Sequence, residues 1–232
     1  MTRALAVYRD YVAGRFWPLF LASMLGWLGL LLFDATVEIP VLCTSGRDAM
    51  SDVSSIMAAV WLINGSAALL LPWLMLSWLL MLAAMMAPLL APSLMHVWDR
   101  SLAQRRMRAA LLFLLAYALA WMLALGLLQA AALLLRILAG GEVAALVLAL
   151  VLALAWQPTG LRAQLLRQCH ARRALPAFGL RADLGSLRFG VAVALPCIGA
   201  CAGLMLVPLS SPTAHLPLMV AVSILMVVER YG

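Results

Sequence analysis

The sequence predicts an all-α fold, a polytopic membrane helical bundle of about six transmembrane helices with both termini on the cytoplasmic side. Of its 232 residues, 66% are hydrophobic and only 11% are charged, and the mean hydropathy is +1.06. A soluble domain is only about half apolar, so a soluble globule of this size has no way to bury so much hydrocarbon. The composition therefore excludes soluble enzymes and disordered chains.

The whole chain is predicted to be a single transmembrane domain. Its apolar segments lie at residues 16–33, 73–91, 109–135, 143–157, 189–209 and 212–228, and each approaches the length of about 20 residues that crosses a bilayer. The run from Val53 to Trp98 carries no formal charge and is long enough for two helices. We count one crossing there, starting after Pro72, a residue suited to a helix start. Residues 53–71 are then predicted to form an interfacial or re-entrant helix.

The arginines set the predicted orientation. All 16 cationic side chains are arginine, against nine acids, which gives a formal net charge of +7. In the six-span arrangement only Arg47 and Arg136 fall on one side, and the remaining arginines fall on the other. Lys and Arg accumulate in cytoplasmic loops. We therefore expect a multi-pass protein of the bacterial cytoplasmic (inner) membrane, with lipids and no nucleic acid as partners.

The largest predicted cytoplasmic loop is the basic segment 161–188. Leucines and Cys169 recur in it at helical spacing with arginines between them, a pattern typical of an amphipathic helix on anionic lipid headgroups. The arginines predicted to face lipid are Arg162, Arg167, Arg172 and Arg173. In a second interpretation, Cys169 and the adjacent His170 accept a metal on the cytoplasmic side.

The fifth predicted crossing carries the most informative pattern. Cys197, Cys201 and Met205 follow at intervals of four residues, which places two thiols and a thioether on one helical face. Soft sulfur ligands suit copper(I) or zinc, although cysteine and methionine also serve as pliable apolar residues in helix packing. Gly199 and Gly203 lie on the roughly opposite face, where a neighbouring helix can approach closely.

A methionine row in the second crossing is the other candidate for a metal site. Met81 and Met85 share a helical face. The second helix descends while the fifth rises, so Met85 is expected at a depth similar to that of Cys197. Packing within the core is the alternative role for this row.

Several separated motifs resemble a known family. The run W-x-x-M-x-x-A-M-M-x-P is matched from Trp78 to Pro88, and Gln157, Cys169, the stretch from Cys197 to Met205 and Glu229-Arg230 match further motif positions in the same order. The chain resembles a bacterial family of predicted metal-binding integral membrane proteins, a domain of unknown function. The likeness extends from about residue 70 to the end, and it implies that these soft side chains handle a metal.

The chain also departs from that family pattern. Leu165 stands where the family has a loop cysteine, His170 where it has arginine, Ala200 where it has a helix cysteine and Ala202 where it has tryptophan. This is therefore a degenerate member of the family. Either a reduced site survives on the remaining sulfur side chains, or the scaffold has been kept without metal.

The favoured function is an integral membrane protein that binds or passes a soft metal ion by exchange between sulfur ligands, with copper preferred over zinc. The predicted ligands are Cys197, Cys201, Met205, Met81, Met85 and Cys169. We expect no enzymatic activity, because the sequence contains no evident nucleophile–base pair or carboxylate cluster. The alternative is a non-catalytic accessory or assembly subunit of a larger membrane protein complex, with the glycines and methionines serving helix packing.

Overall fold

The computed structural model describes residues 17–36, 67–169, 176 and 179–231, and this part of the chain is almost entirely helical. The helices are α1 (Trp17–Thr36), α2 (Ala67–Arg100), α3 (Arg106–Ala139), α4 (Glu142–Trp156), α5 (Gly160–Cys169), α6 (Gly179–Ser210) and α7 (His215–Tyr231), with a 3₁₀ turn at Ala103–Arg105 before α3. The predicted all-α class is confirmed.

Three described stretches are long and apolar enough to cross a membrane, namely Met75–Arg100, Ala103–Ala139 and Gly179–Ser210. A fourth results if α4 and α5, which meet at a bend of 76°, are counted as one broken span. Among the described residues, α1 and α7 contribute shorter apolar helices, Trp17–Leu32 and His215–Glu229. Six crossings and the side on which the termini lie stay predictions.

Helix α2 differs from the predicted second crossing at both ends. It begins at Ala67, before Pro72, and continues to Arg100, so Pro72 is an interior residue and not the helix start expected from the sequence. Pro88 and Pro92 also lie inside the helix. An interior proline removes a backbone donor, and neighbouring helices re-satisfy the freed carbonyl groups in apolar bundles. Residues 67–71 of the predicted interfacial segment therefore belong to α2.

Helix α6 is the centre of the bundle and packs against α3, α4, α5 and α7. The backbones of α6 and α3 approach closely at Gly190, where a Cβ atom would lie 2.6 Å from the backbone oxygen of Phe113. Near the N-terminal ends of the two helices, Asp183 forms ion pairs of 2.7 Å with both Arg105 and Arg108. Because both sets of contacts join corresponding ends, α3 and α6 run parallel.

The turns at the other end of these helices are joined by Glu142. Its Oε1 accepts hydrogen bonds from the Ser211 hydroxyl at 2.6 Å, and from the Thr213 amide and hydroxyl at 3.0 and 2.6 Å. Gly140, with φ of 71°, ends α3 in the left-handed conformation that favours glycine. The α3–α4 and α6–α7 turns thus lie together, and α4 and α7 return antiparallel to α6.

Helix α1 packs antiparallel on α2. The Ser23 hydroxyl donates a hydrogen bond of 2.7 Å to the carbonyl oxygen of Ala84. A Cβ atom on Gly26 would lie 2.7 Å from the Ala84 nitrogen, so glycine allows the two backbones to touch. The side of α2 that carries Ala84 is therefore covered by α1.

Some sequence predictions fall outside the described residues. These are the structure of the first 16 residues, residues 53–66 of the predicted interfacial helix, and the placement of His170, Arg172 and Arg173.

Candidate metal centre

A small cavity opens beside the middle of α6, where α2, α3, α5 and α7 converge on it. Its volume is about 20 Å³, the space of one water molecule or one ion. The side chains in its wall that carry sulfur or oxygen are Cys169, Cys197, Cys201, Met226, Tyr117 and Glu229, and apolar residues form the rest. Sulfur is therefore the main donor element at this point.

Cys197 lies at the centre of these donor groups. Its Sγ is 3.5 Å from the phenol oxygen of Tyr117 on α3, and its thiol makes side-chain contacts with Cys169 and Cys201. The three cysteines are reduced, outside any disulfide, and each is less than a tenth exposed. Cys201 lies one helical turn after Cys197, whereas Cys169 is the last residue of α5.

The glycine face of α6 brings α4 and α5 close to the centre. A Cβ atom on Gly199 would lie 2.8 Å from Cδ1 of Leu165, and one on Gly203 would lie 3.3 Å from Cδ1 of Trp156. The Trp156 indole N–H also donates a hydrogen bond of 3.1 Å to the Gly199 carbonyl oxygen. The glycine face of α6, predicted to accept a closely packed neighbour, is therefore covered by α4 and α5. The same contacts position Cys169, at the end of α5, beside the cavity.

Arg162 lies inside the protein, which contradicts its predicted position on lipid headgroups. Its Nη2 forms an ion pair with the carboxylate of Glu229 on α7, and its Nε donates a hydrogen bond of 3.3 Å to the Ala200 carbonyl oxygen. The residue is only 7% exposed. The lipid-facing prediction is wrong here because the partner carboxylate comes from a distant part of the chain. Arg167, on the same helix, is exposed.

The methionines predicted as ligands are not in the cavity wall. Met81, Met85 and Met205 are each at most 2% exposed and belong to the packed core. The sequence predicts Met85 at the depth of Cys197, but α2 instead contributes Leu89 and Leu90, one turn further on, to the cavity wall. The thioether in the wall is supplied by Met226 of α7. The structure therefore brings together the three predicted cysteines and leaves the three predicted methionines elsewhere.

Sequence reasoning did not assign Tyr117 or Met226 to the site, and it named Glu229 only as a motif match. Tyr117 belongs to a row with Phe113 and Trp121 at four-residue intervals, and its ring lies 6.3 and 6.5 Å from theirs. The sequence feature that could have identified Tyr117 is its hydroxyl group in an otherwise apolar helix, because a buried phenol hydroxyl usually has a hydrogen-bond partner.

The donor atoms in the cavity wall are mostly soft sulfur atoms, and they do not surround one point as the ligands of a fully coordinated ion do. Within the described ranges, no three His, Cys, Asp or Glu side chains are grouped as a ready ligand set for a metal ion. Thiolate and thioether sulfur suit copper(I) and zinc, but structural zinc sites need a closed tetrahedral set of four ligands. The residues present therefore fit a single copper(I) ion held by few ligands better than they fit a fully coordinated divalent ion.

A protein-family model described as PpoB2, copper chaperone, matches residues 75–232. The chain belongs to this copper chaperone family. The matched region contains every residue that lines the cavity. The copper-related family expected from the motifs is confirmed, while the membrane and bacterial parts of that resemblance stay predictions. No curated protein and no solved structure matched the chain.

The sulfur side chains have two candidate roles, metal binding and core packing, and membership in the copper chaperone family is relevant to the choice between them. A chaperone needs an ion held by ligands that a partner can displace. The cavity has the size of one ion and carries three thiols and one thioether in its wall.

Proposed function

We propose that this protein is a non-catalytic, membrane-embedded copper(I) chaperone. In this proposal Cys197 and Cys201 of α6 hold the ion, Cys169 and Met226 complete its surroundings, and the ion leaves by ligand exchange to the sulfur atoms of an acceptor protein. The supporting observation is the convergence of these four sulfur side chains on one cavity in a member of a copper chaperone family.

Binding in this cavity requires deprotonated thiols. Thiolate is the form of cysteine that ligates metals, so copper(I) displaces protons when it binds. The Tyr117 hydroxyl is placed to donate a hydrogen bond to the Cys197 thiolate once it forms. Release reverses the process: each thiolate that gives up the ion takes back a proton or exchanges with a thiolate of the acceptor. No electron transfer is needed.

The outer surface supports a location within a membrane. Leucines face outward along α3 at four-residue intervals, and each is more than half exposed: Leu111, Leu115, Leu119, Leu123 and Leu127. On α4, Val143, Val147, Val151 and Leu154 are exposed to a similar degree. Soluble monomers rarely expose apolar patches as large as such rows create. In a bilayer, lipid chains would cover these apolar rows, so the rows would not be exposed to water. We therefore place the protein in the bacterial cytoplasmic membrane.

The second candidate is an accessory subunit of a membrane complex, in which the same apolar rows contact other proteins. Small residues at close helix contacts, such as Gly190 and Gly26, support helix packing in either case. Metal content distinguishes the two functions, since an accessory subunit has no need to retain copper.

The test is metal retention by the protein purified in detergent under reducing, oxygen-free conditions. Copper and zinc are quantified in the wild type and in the double variant Cys197→Ser/Cys201→Ser after loading with copper(I) and desalting. Cys43→Ser is the matched control, because Cys43 precedes the residues matched by the family model.

We expect about one copper(I) per chain in the wild type and in the control, and loss of most of it in the double variant. Equal copper in all three proteins contradicts the proposed site. A wild type that retains no copper and co-purifies with a membrane partner at fixed stoichiometry favours the accessory function.

A further inference from the structure

A charged pair is built into the wall of the sulfur cavity. The Glu229 carboxylate lines the cavity, and the Arg162 guanidinium forms an ion pair with it. The Arg162 side chain is 9% exposed and that of Glu229 is 25% exposed. Neither residue is needed to hold copper(I) by sulfur, so the proposed chaperone function leaves this pair unexplained.

The position of Arg162 is fixed from two sides. One contact is the ion pair with Glu229 of α7, and the other is the Nε hydrogen bond to the Ala200 carbonyl oxygen. Ala200 precedes Cys201 directly and lines the same cavity. The guanidinium is therefore held behind the wall that carries the thiols, and its position does not depend on a mobile surface side chain.

The carboxylate is the one strong oxygen donor in this wall. Zinc binds cysteine thiolates together with Asp or Glu oxygen in tetrahedral sites, so a Glu229 carboxylate released from its ion pair would add to this wall the oxygen ligand that zinc accepts. Copper(I), by contrast, has little need of a carboxylate. A cavity meant for copper(I) must prevent Glu229 from serving as a zinc ligand.

We propose that Arg162 determines the metal selectivity of the cavity, by occupying the Glu229 carboxylate and by placing a positive charge beside the thiols. The inference rests on the proposed copper(I) function and names its specificity-determining residue. Coulomb repulsion scales with the charge of the ion and is strong where water is scarce, so Arg162 disfavours a divalent ion more than a monovalent one. Both effects reduce zinc binding relative to copper(I) binding.

The test measures the ratio of zinc affinity to copper(I) affinity by competition with chromogenic chelators, bicinchoninate for copper(I) and a zinc indicator for zinc. In Arg162→Gln, which removes the charge and frees the carboxylate, we expect the ratio to rise about tenfold or more. Arg162→Lys keeps the charge, and its ratio should stay within about threefold of wild type. In the double variant Arg162→Gln/Glu229→Gln the ratio should return to near the wild-type value.

Arg105→Gln is the matched control, since it removes an arginine from another ion pair, with Asp183, away from the cavity wall. Its ratio should not change. If Arg162→Gln leaves the ratio unchanged, or if the rise persists in the double variant, Arg162 does not act through Glu229 and the inference is overturned.

If Arg162→Gln fails to fold, the single variant Glu229→Gln tests the inference independently. It removes the oxygen ligand and leaves the cation, so the ratio must fall below wild type, and an unchanged or increased ratio overturns the inference. A wild type that binds no copper(I) refutes the chaperone function itself. If copper(I) binds normally but the ratio of zinc affinity to copper(I) affinity does not change when Arg162 is substituted, only the selectivity role is refuted.

Discussion

The phenol oxygen of Tyr117 and the sulfur of Cys197 lie 3.5 Å apart across the interface between α3 and α6. Gly190, about two helical turns before Cys197, lets these parallel helices approach closely enough for this contact. Helix α3 supplies no sulfur atom to the cavity, yet it reaches the central thiol through a hydroxyl group. The site is therefore shared by helices that are far apart in sequence.

Removal of the Tyr117 hydroxyl should weaken copper(I) binding without unfolding the protein. Groups that hydrogen-bond a metal ligand typically change metal affinity by 10–100-fold, and we expect a weakening of about tenfold in Tyr117→Phe. The ring stays in place, so the midpoint of thermal unfolding without metal should change little. Competition titration with bicinchoninate and thermal unfolding measure the two quantities. An unchanged affinity means that the hydroxyl does not interact with the ligating thiolate.

Single substitutions distinguish the two candidate methionine ligands, Met226 from the structure and Met205 from the sequence. Met226→Leu removes the thioether in the cavity wall, and we expect copper(I) affinity to fall about tenfold, or about 1.4 kcal/mol. Met219→Leu, on the same helix but buried in the core away from the cavity, is the matched control and should leave affinity unchanged. Met205→Leu should also be neutral, whereas a loss there would support the ligand face predicted from the sequence.

The close contact of α3 and α6 should not tolerate a methyl group. In Gly190→Ala the new Cβ would meet the Phe113 carbonyl oxygen at 2.6 Å and the Ala116 Cβ at 2.9 Å. We expect a loss of about 1–3 kcal/mol in the free energy of unfolding and weaker copper(I) binding, because the helices must separate.

The control for this substitution is Gly126→Ala, also in a close-packed helix. The nearest neighbour of its new Cβ would be Cη2 of Trp78 at 3.7 Å, an ordinary contact distance. Alanine favours helix over glycine by up to about 1 kcal/mol, so this variant should be neutral or more stable. Equal destabilisation of both variants would show that backbone contact at Gly190 is not the cause.

Glu142 should contribute to stability and not to metal binding. Glu142→Ala removes the acceptor of hydrogen bonds from Ser211 and Thr213 that join the two turns at the end opposite to the Asp183 ion pairs. Each such bond contributes about 0.5–1.5 kcal/mol, so we expect a lower unfolding midpoint. Copper(I) affinity of the folded protein should not change, and a change would link these turns to the cavity.

The parts of the fold that follow from local composition could be predicted from the sequence. Apolar runs gave the helical class, and the four-residue interval of Cys197 and Cys201 placed both thiols on one face, which lines the cavity. Gly199 and Gly203 indicated where another helix packs, and Leu165 and Trp156 occupy that face. These features depend on residues within a few turns of one another.

Features that depend on long-range register could not be predicted. The depth of Met85 relative to Cys197 depends on how two distant helices slide along each other, and hydropathy does not fix that offset. The ion pair of Arg162 with Glu229 joins residues 67 positions apart, so an arginine in a basic segment gave no sign of its buried position. Met226 was likewise indistinguishable in sequence from the methionines of the core.

The most direct test of the central claim is X-ray absorption at the copper edge, recorded on the copper(I)-loaded protein and on Cys197→Ser/Cys201→Ser. We predict a first shell made of sulfur in the wild type and its disappearance in the double variant. A shell of nitrogen or oxygen, or the same sulfur shell in both proteins, would contradict a copper(I) site on these two cysteines.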